Sequence, residues 1–111
     1  MIIALGDIHA QIPRGEEVAE LMRSTQARAR EQPGCIYFEF AQTLDDPGHF
    51  LVVQQWRDQA AFDQHYRSDA FAAYQTGIAQ HLVRISELSV HSVQTSLRPT
   101  TAEPLEASAE D

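Results

Sequence analysis

Two side chains near the middle of the sequence have the chemistry and the spacing to form a site. Trp56 ends an apolar, β-branched run, and His65 follows in a stretch of helical spacing. Imidazole titrates near neutral pH, so His65 is a candidate general base or hydrogen-bond donor. It can equally be a structural histidine with a polar rim. Trp56 is either a large core residue or an aromatic wall on which a flat molecule stacks. Phe62, His65 and Tyr66 fall within one helical turn, and Asp58 can cap that helix, so this corner must fold back over the strand end. The expected result is one cavity between sheet and helices, lined by Trp56 and His65, with Phe62, Phe71 and Tyr74 as apolar walls. Tyr37 and Tyr74 can each donate a hydrogen bond to a phenolic oxygen or serve as core aromatics. Asp7 and His9 share one face of the first predicted strand and can either line the pocket or face the watery end of a dimer.

Other chemistries find no support. All eight basic residues are Arg, which excludes a Lys Schiff base, a P-loop Lys and a pyridoxal-phosphate anchor. The net charge of −8 argues against nucleic acid or an anionic membrane surface as partner. Cys35 is the one cysteine; it cannot form an internal disulfide, and a lone thiol usually behaves as a small hydrophobe. His49, His81 and His91 are scattered over separate predicted elements without His-x-x-x-His spacing, so no metal site is expected. No Gly-x-Gly-x-x-Gly fingerprint or Gly-x-Ser-x-Gly elbow is present, which leaves nucleotide binding and serine hydrolysis unsupported. The start of the chain is apolar only from Ile2 to Leu5 before Gly6 and Asp7. A cytoplasmic protein without a membrane span or leader is expected.

The elements that must position these residues are legible in the pattern. With 111 residues, 43% hydrophobic and 22% charged, the chain has the size and mix of one soluble domain. Residues 2 to 12 alternate as a strand, with Ile2, Ala4, Gly6, Ile8, Ala10 and Ile12 on one face. From Gly15 to about Gln32 the period changes to that of a helix, with Val18, Leu21, Met22, Thr25 and Ala29 on one stripe. Pro33-Gly34 stops it. Residues 35–44 and 49–57 form a hairpin around Asp45-Asp46-Pro47-Gly48, where Gly48 suits the third position of a type II turn. Asp58 and Ser68 can cap two further helices, the second carrying Phe71, Tyr74, Ile78, Leu82 and Ile85, with Gly77 a possible bend. Residues 86–95 are a last strand. The order β-α-β-β-α(α)-β is the split arrangement of ferredoxin-like α+β folds, with an antiparallel sheet. Both sheet faces are partly apolar while two helices cover one, so a second copy, sheet against sheet, is expected.

The stretch from Gln32 to Tyr74 resembles the antibiotic biosynthesis monooxygenase (ABM) domain. Its marks are Pro33-Gly34-Cys35 before an aromatic strand, Gln54-x-Trp56 at a strand end, Gln64-His65 on a helix, and Ser68-x-x-Phe71 opening the next. Gln54 stands where the family usually has Glu, and Ala70 where a His is often found; both changes remove ionisable groups. The resemblance spans roughly residues 2–95 and implies a dimeric α+β barrel that oxygenates quinols or anthrone-like polyketides without metal, flavin or other cofactor. On that reading His65 accepts a proton, Gln54 and a tyrosine hold the oxyanion, and Trp56, Phe62 and Phe71 exclude water. Tyr66, Tyr37 and His9 are further candidates for substrate contact. The partners implied are a second copy of the chain and a small aromatic or apolar molecule with O₂. A binding or dimerisation module without turnover is the alternative. Isomerisation of a small signalling molecule and haem degradation rank below both, and Tyr74 and Gln75 stand where a haem-ligating His would be expected.

The domain is expected over residues 1–97. Residues 98–111 carry Pro99 and Pro104, no aromatic side chain, and four acids against one Arg, the composition of an exposed acidic tail. Deleting residues 98–111 should leave the melting temperature nearly unchanged in a thermal scan. A clear loss of stability would mean that the segment straps across a neighbouring subunit through Leu97 and Leu105.

Overall fold

A computed structural model of the chain describes residues 1–105. Among these, the strand β1 (Ile2–His9) leads through a 3-10 turn (Ile12–Arg14) into the helix α1 (Gly15–Arg30). The hairpin strands β2 (Cys35–Gln42) and β3 (His49–Trp56) follow, then α2 (Gln59–Tyr66), α3 (Asp69–Ala79) and β4 (Glu87–Ser92). The four strands form one sheet in the order β2-β3-β1-β4, with every neighbouring pair antiparallel. This is the ferredoxin-like α+β fold that the element order predicts.

Alternation on the strands divides the sheet into two unlike faces. Ile2, Ala4 and Ile8 of β1 and Phe50, Val52, Gln54 and Trp56 of β3 are buried beneath the helices. α1 turns the predicted stripe Val18, Met22, Thr25 and Ala29 onto them. The opposite face leaves Leu5, Tyr37 and Leu51 exposed. A Cβ at Gly77 would stand 3.1 Å from Leu21 Cδ2, so this glycine lets α1 and α3 approach closely and lies within the helix rather than ending it. No helix among the described residues is long and apolar enough to cross a membrane.

Both caps form as expected. Asp58 accepts from the Ala61 N–H at 2.9 Å, which holds its carboxyl below the ordinary carboxylate range. Ser68 accepts from the Phe71 N–H at 3.1 Å and donates to the His65 carbonyl at 2.7 Å, locking α2 to α3.

Two boundaries and one turn differ most from expectation; β2 and β4 are also shorter than the predicted 35–44 and 86–95. β1 stops at His9 rather than residue 12, because Ala10 bridges to Leu82 and Pro13 enters the 3-10 turn. α3 stops at Ala79 rather than near Ile85. The Gln11 N–H donates to the His81 carbonyl and the Val83 N–H to the His9 carbonyl, so nonlocal pairing takes over the segment that carries Leu82 and Ile85. In the hairpin, the His49 N–H donates to the Asp46 carbonyl at 3.0 Å, but Gly48 lacks the positive φ of a type II turn. Its requirement is space, since a Cβ there would lie 2.6 Å from the Ala10 carbonyl oxygen. The expected acidic tail is exposed and without helix or strand over residues 98–105, and its remainder, 106–111, lies outside the described residues.

Gly34 meets both constraints at once. Its φ is 85°, and a Cβ would stand 2.5 Å from Ala61 Cβ. Gly34→Ala should therefore destabilise the protein by about 2–4 kcal/mol in urea unfolding, combining left-handed strain with overpacking.

Candidate active site

Between the helices and the sheet lies a cavity of about 360 Å³. Its floor is built from alternate strand residues that point to the helix side: Gly6 and Ile8 on β1, Phe38 and Phe40 on β2, Val52 and Gln54 on β3, and Leu88 on β4. Tyr66, Phe71, Tyr74 and Ile78 form its other wall, and Leu82, Ile85, Ser86 and Glu87 line it from the segment crossing to β4. Its size and mainly apolar lining suit a small flat molecule.

Gln54 is the polar group of the floor. The Trp56 indole N–H donates to Gln54 Oε1 at 2.9 Å. An indole nitrogen can only donate, so this bond fixes which end of the amide faces it. The Gln54 NH₂, which has no hydrogen-bond partner among the described residues, is left to serve the cavity. Tyr74 adds a second donor. Burial pushes its phenol well above the ordinary range, so it keeps its proton.

Trp56 and His65 are brought together, but not where the sequence reading places them. Their rings stack with centroids 4.7 Å apart and planes 25° from parallel, and both are buried, Trp56 at 0% and His65 at 2% exposure. Neither lines the cavity. They lie behind its wall, His65 against Phe71 at 4.9 Å and Phe38 at 5.4 Å. His65 Nδ1 bonds Gln32 Oε1 at 3.0 Å, so Nδ1 carries the proton and Nε2 presents a lone pair. That Nε2 is buried without a partner. Burial lowers the His65 pKa to about 4, because an imidazolium in this apolar pocket has nothing to balance it. The polar-rimmed histidine poised near neutrality is thus replaced by a neutral core imidazole.

The other candidates divide by face. Gln54, Tyr66, Phe71 and Tyr74 meet in the cavity. Phe62 packs on Tyr66 at 5.8 Å but borders a separate, open cleft with Leu5, Asp63 and the strand β4. Tyr37 and His9 are not in the cavity at all. Tyr37 is exposed beside Cys35 and Ile36, and His9 stacks on His49 at 4.2 Å on the uncovered face. Cys35 is half-buried with its thiol pushed up by desolvation, the opposite of an activated nucleophile.

The family model for antibiotic biosynthesis monooxygenase matches residues 1–77. The chain belongs to the antibiotic biosynthesis monooxygenase family. Solved structures agree in fold. A candidate antibiotic biosynthesis monooxygenase from Deinococcus radiodurans superposes with a TM-score of 0.85 at 18% identity, over 90% of this chain and 99% of that one. One from Nitrosomonas europaea gives 0.80 at 15% identity, over 86% and 100%. An uncharacterized Synechocystis protein is 25% identical over 92 residues, 83% of this chain; the match spans 63% of that relative's length.

The buried imidazole makes stability depend on pH. The unfolded chain protonates His65 below its ordinary value of 6.5, whereas the folded chain does so only below about 4. Stability contributed by this group is therefore full above pH 6.5, declines as pH falls towards 4, and declines no further below that. Urea unfolding of wild type should show this slope, and His65→Phe, which keeps an aromatic ring on Trp56 without a titrating proton, should lack it.

Proposed function

We propose that the protein is a cofactor-independent monooxygenase of quinols or anthrone-like aromatics. The observation that carries this reading is an apolar cavity with one oriented amide donor in its floor and an unpaired imidazole lone pair behind its wall. The substrate lies flat between the sheet and Phe71, with its oxygen accepting from the Gln54 NH₂ and the Tyr74 hydroxyl. Those donors stabilise the enolate or phenolate more than the neutral form, because charge develops at that oxygen.

The proton goes to His65 Nε2 when Phe71, which borders both the cavity and the imidazole, turns aside. In the empty site an imidazolium is uncompensated; beside a substrate anion it has a counter-charge, so its pKa rises when it is needed. The electron-rich anion reduces O₂ directly. For an anthrone, the ring carbanion and O₂ join as a peroxide, which loses water to leave a carbonyl: one CH₂ and one O₂ become C=O and H₂O. Trp56 does not touch the substrate in this scheme. It orients Gln54 and packs His65, while Phe71, Phe38 and Tyr66 exclude water.

The working unit is residues 1–97, acting in the cytoplasm as a homodimer with residues 98–111 as an appended acidic tail. Exposed Leu5, Leu51 and Tyr37 on the uncovered face support pairing of sheet with sheet, burying more than about 1,000 Å². Light scattering at micromolar concentration should give twice the chain mass, and Leu51→Glu should shift it towards the monomer.

A non-catalytic binding module is the second reading, favoured by the lowered His65 pKa and by Gln54 and Ala70 in place of ionisable groups. Oxygen uptake with a panel of quinols and anthrones separates the two. Turnover that falls by roughly 10² or more in His65→Phe supports the oxygenase, the scale expected for loss of a general base. Full activity in that variant removes His65 from the reaction. Saturable binding of the panel without oxygen uptake establishes the binding module instead.

A further inference from the structure

On the uncovered face, where β1 ends and β3 begins, three ligand-type side chains converge. Asp7 and His9 are two residues apart on β1 and so point to the same side, and His49 is directly opposite His9 in the strand register. His49 Nε2 lies 2.7 Å from Asp7 Oδ1. The His9 and His49 rings stack at 4.2 Å with planes 12° apart. One ligand atom from each of the three lies within 4.8 Å of the others.

We propose that Asp7, His9 and His49 bind one divalent transition-metal ion, for which zinc is the natural probe. Two imidazoles and a carboxylate are donors that zinc accepts in tetrahedral sites, leaving the fourth position to water. Donors about 2.0–2.1 Å from a tetrahedral zinc stand roughly 3.3–3.5 Å from one another. Closing from the separation observed asks for side-chain rotation alone, since the register of β1 on β3 already holds the three Cβ atoms on one patch. Parallel rings cannot both aim in-plane lone pairs at one point, so binding turns one ring about χ2 and breaks the stack. As the ion takes Nε2, the hydrogen that Nε2 shares with Asp7 Oδ1 is exchanged through solvent to Nδ1, so His49 ligates as a neutral imidazole and Asp7 as a carboxylate. His91 lies on the same face but bonds Ser89 Oγ at 3.0 Å and stands opposite Ile3, outside the cluster. The site is separate from the cavity, and no step of the proposed oxygenation uses it; because Leu51, opposite Asp7, belongs to the face proposed to pair with a second copy, the site lies beside that interface and the titration is read on the dimer.

The test is calorimetric titration of the full, tag-free chain with zinc chloride. One saturable ion per chain is expected, with affinity lowered roughly tenfold or more in His9→Ala, His49→Ala and Asp7→Asn, and unchanged in His91→Ala. X-ray absorption of the wild-type zinc complex should count two imidazoles on the metal, a readout that does not depend on how any variant folds. No saturable binding, undiminished affinity in His49→Ala, an equal loss in His91→Ala, or absorption data without two imidazoles would each overturn the site.

Discussion

The helix-side half of this molecule is organised by a buried polar thread: Gln54 to Trp56, Trp56 to His65, His65 to Gln32. It joins β3 to α2 and then to the loop that follows α1 through one indole hydrogen bond, one ring stack and one imidazole hydrogen bond. Buried polar groups are costly unless paired, so each member restricts the rotamer of the next. Gln54 and Trp56 are two apart on one strand and share a face, which lets a side chain bond its near neighbour across the pleat. Asp58 and Ser68, capping α2 and α3, fix where His65 enters. At one end of the thread the Gln54 NH₂ is open to the cavity; within it, His65 Nε2 is fully buried without a partner among the described residues, behind the cavity's aromatic wall.

Strand alternation then gives the protein two independent surfaces. Residues of even number on β1 and β3 face the helices, with Gly6, Ile8, Val52 and Gln54 flooring the cavity, and those of odd number form the uncovered face. Because successive side chains leave the backbone on opposite sides of the sheet, side chains on one face do not contact those on the other. The candidate catalytic groups and the Asp7–His9–His49 cluster therefore share strands without sharing an environment.

Much of this was legible in the sequence, and the failures have identifiable causes. The stripe on α1, the hairpin, both caps and the closeness of Trp56 to His65 all follow from local spacing, and local spacing was enough. Depth was not. That His65 is a core imidazole depends on Phe71 arriving from α3 and Phe38 from β2, which no window around residue 65 contains. Leu82 and Ile85 continued the helical period, yet a backbone pairing with residues 9–11 claimed their segment. Pro47-Gly48 suggests a dihedral role for the glycine, whereas its need is clearance from the Ala10 carbonyl. The histidine pair was missed because β1 and β3 are adjacent in space but separated in sequence by α1 and β2. The signal present was Asp7 and His9 at a spacing of two, with a histidine opening a later strand.

The two departures from the family pattern bear on chemistry rather than fold. With Gln54 and Tyr74 as donors, the cavity offers neutral hydrogen bonds and no positive charge; Ala70 does not line it, and the carboxylate that does, Glu87, is at its β4 edge. A neutral amide and a phenol of raised pKa can stabilise an oxyanion by hydrogen bonding, yet neither supplies the net positive charge that a localised anion would need in so apolar a space. Under the proposed reaction, the substrate must therefore spread its own negative charge over a fused or quinoid ring system. Small, localised enolates should be poor substrates for the same reason that His65 is neutral at physiological pH: the cavity and the core behind it disfavour any charge that is neither delocalised nor paired.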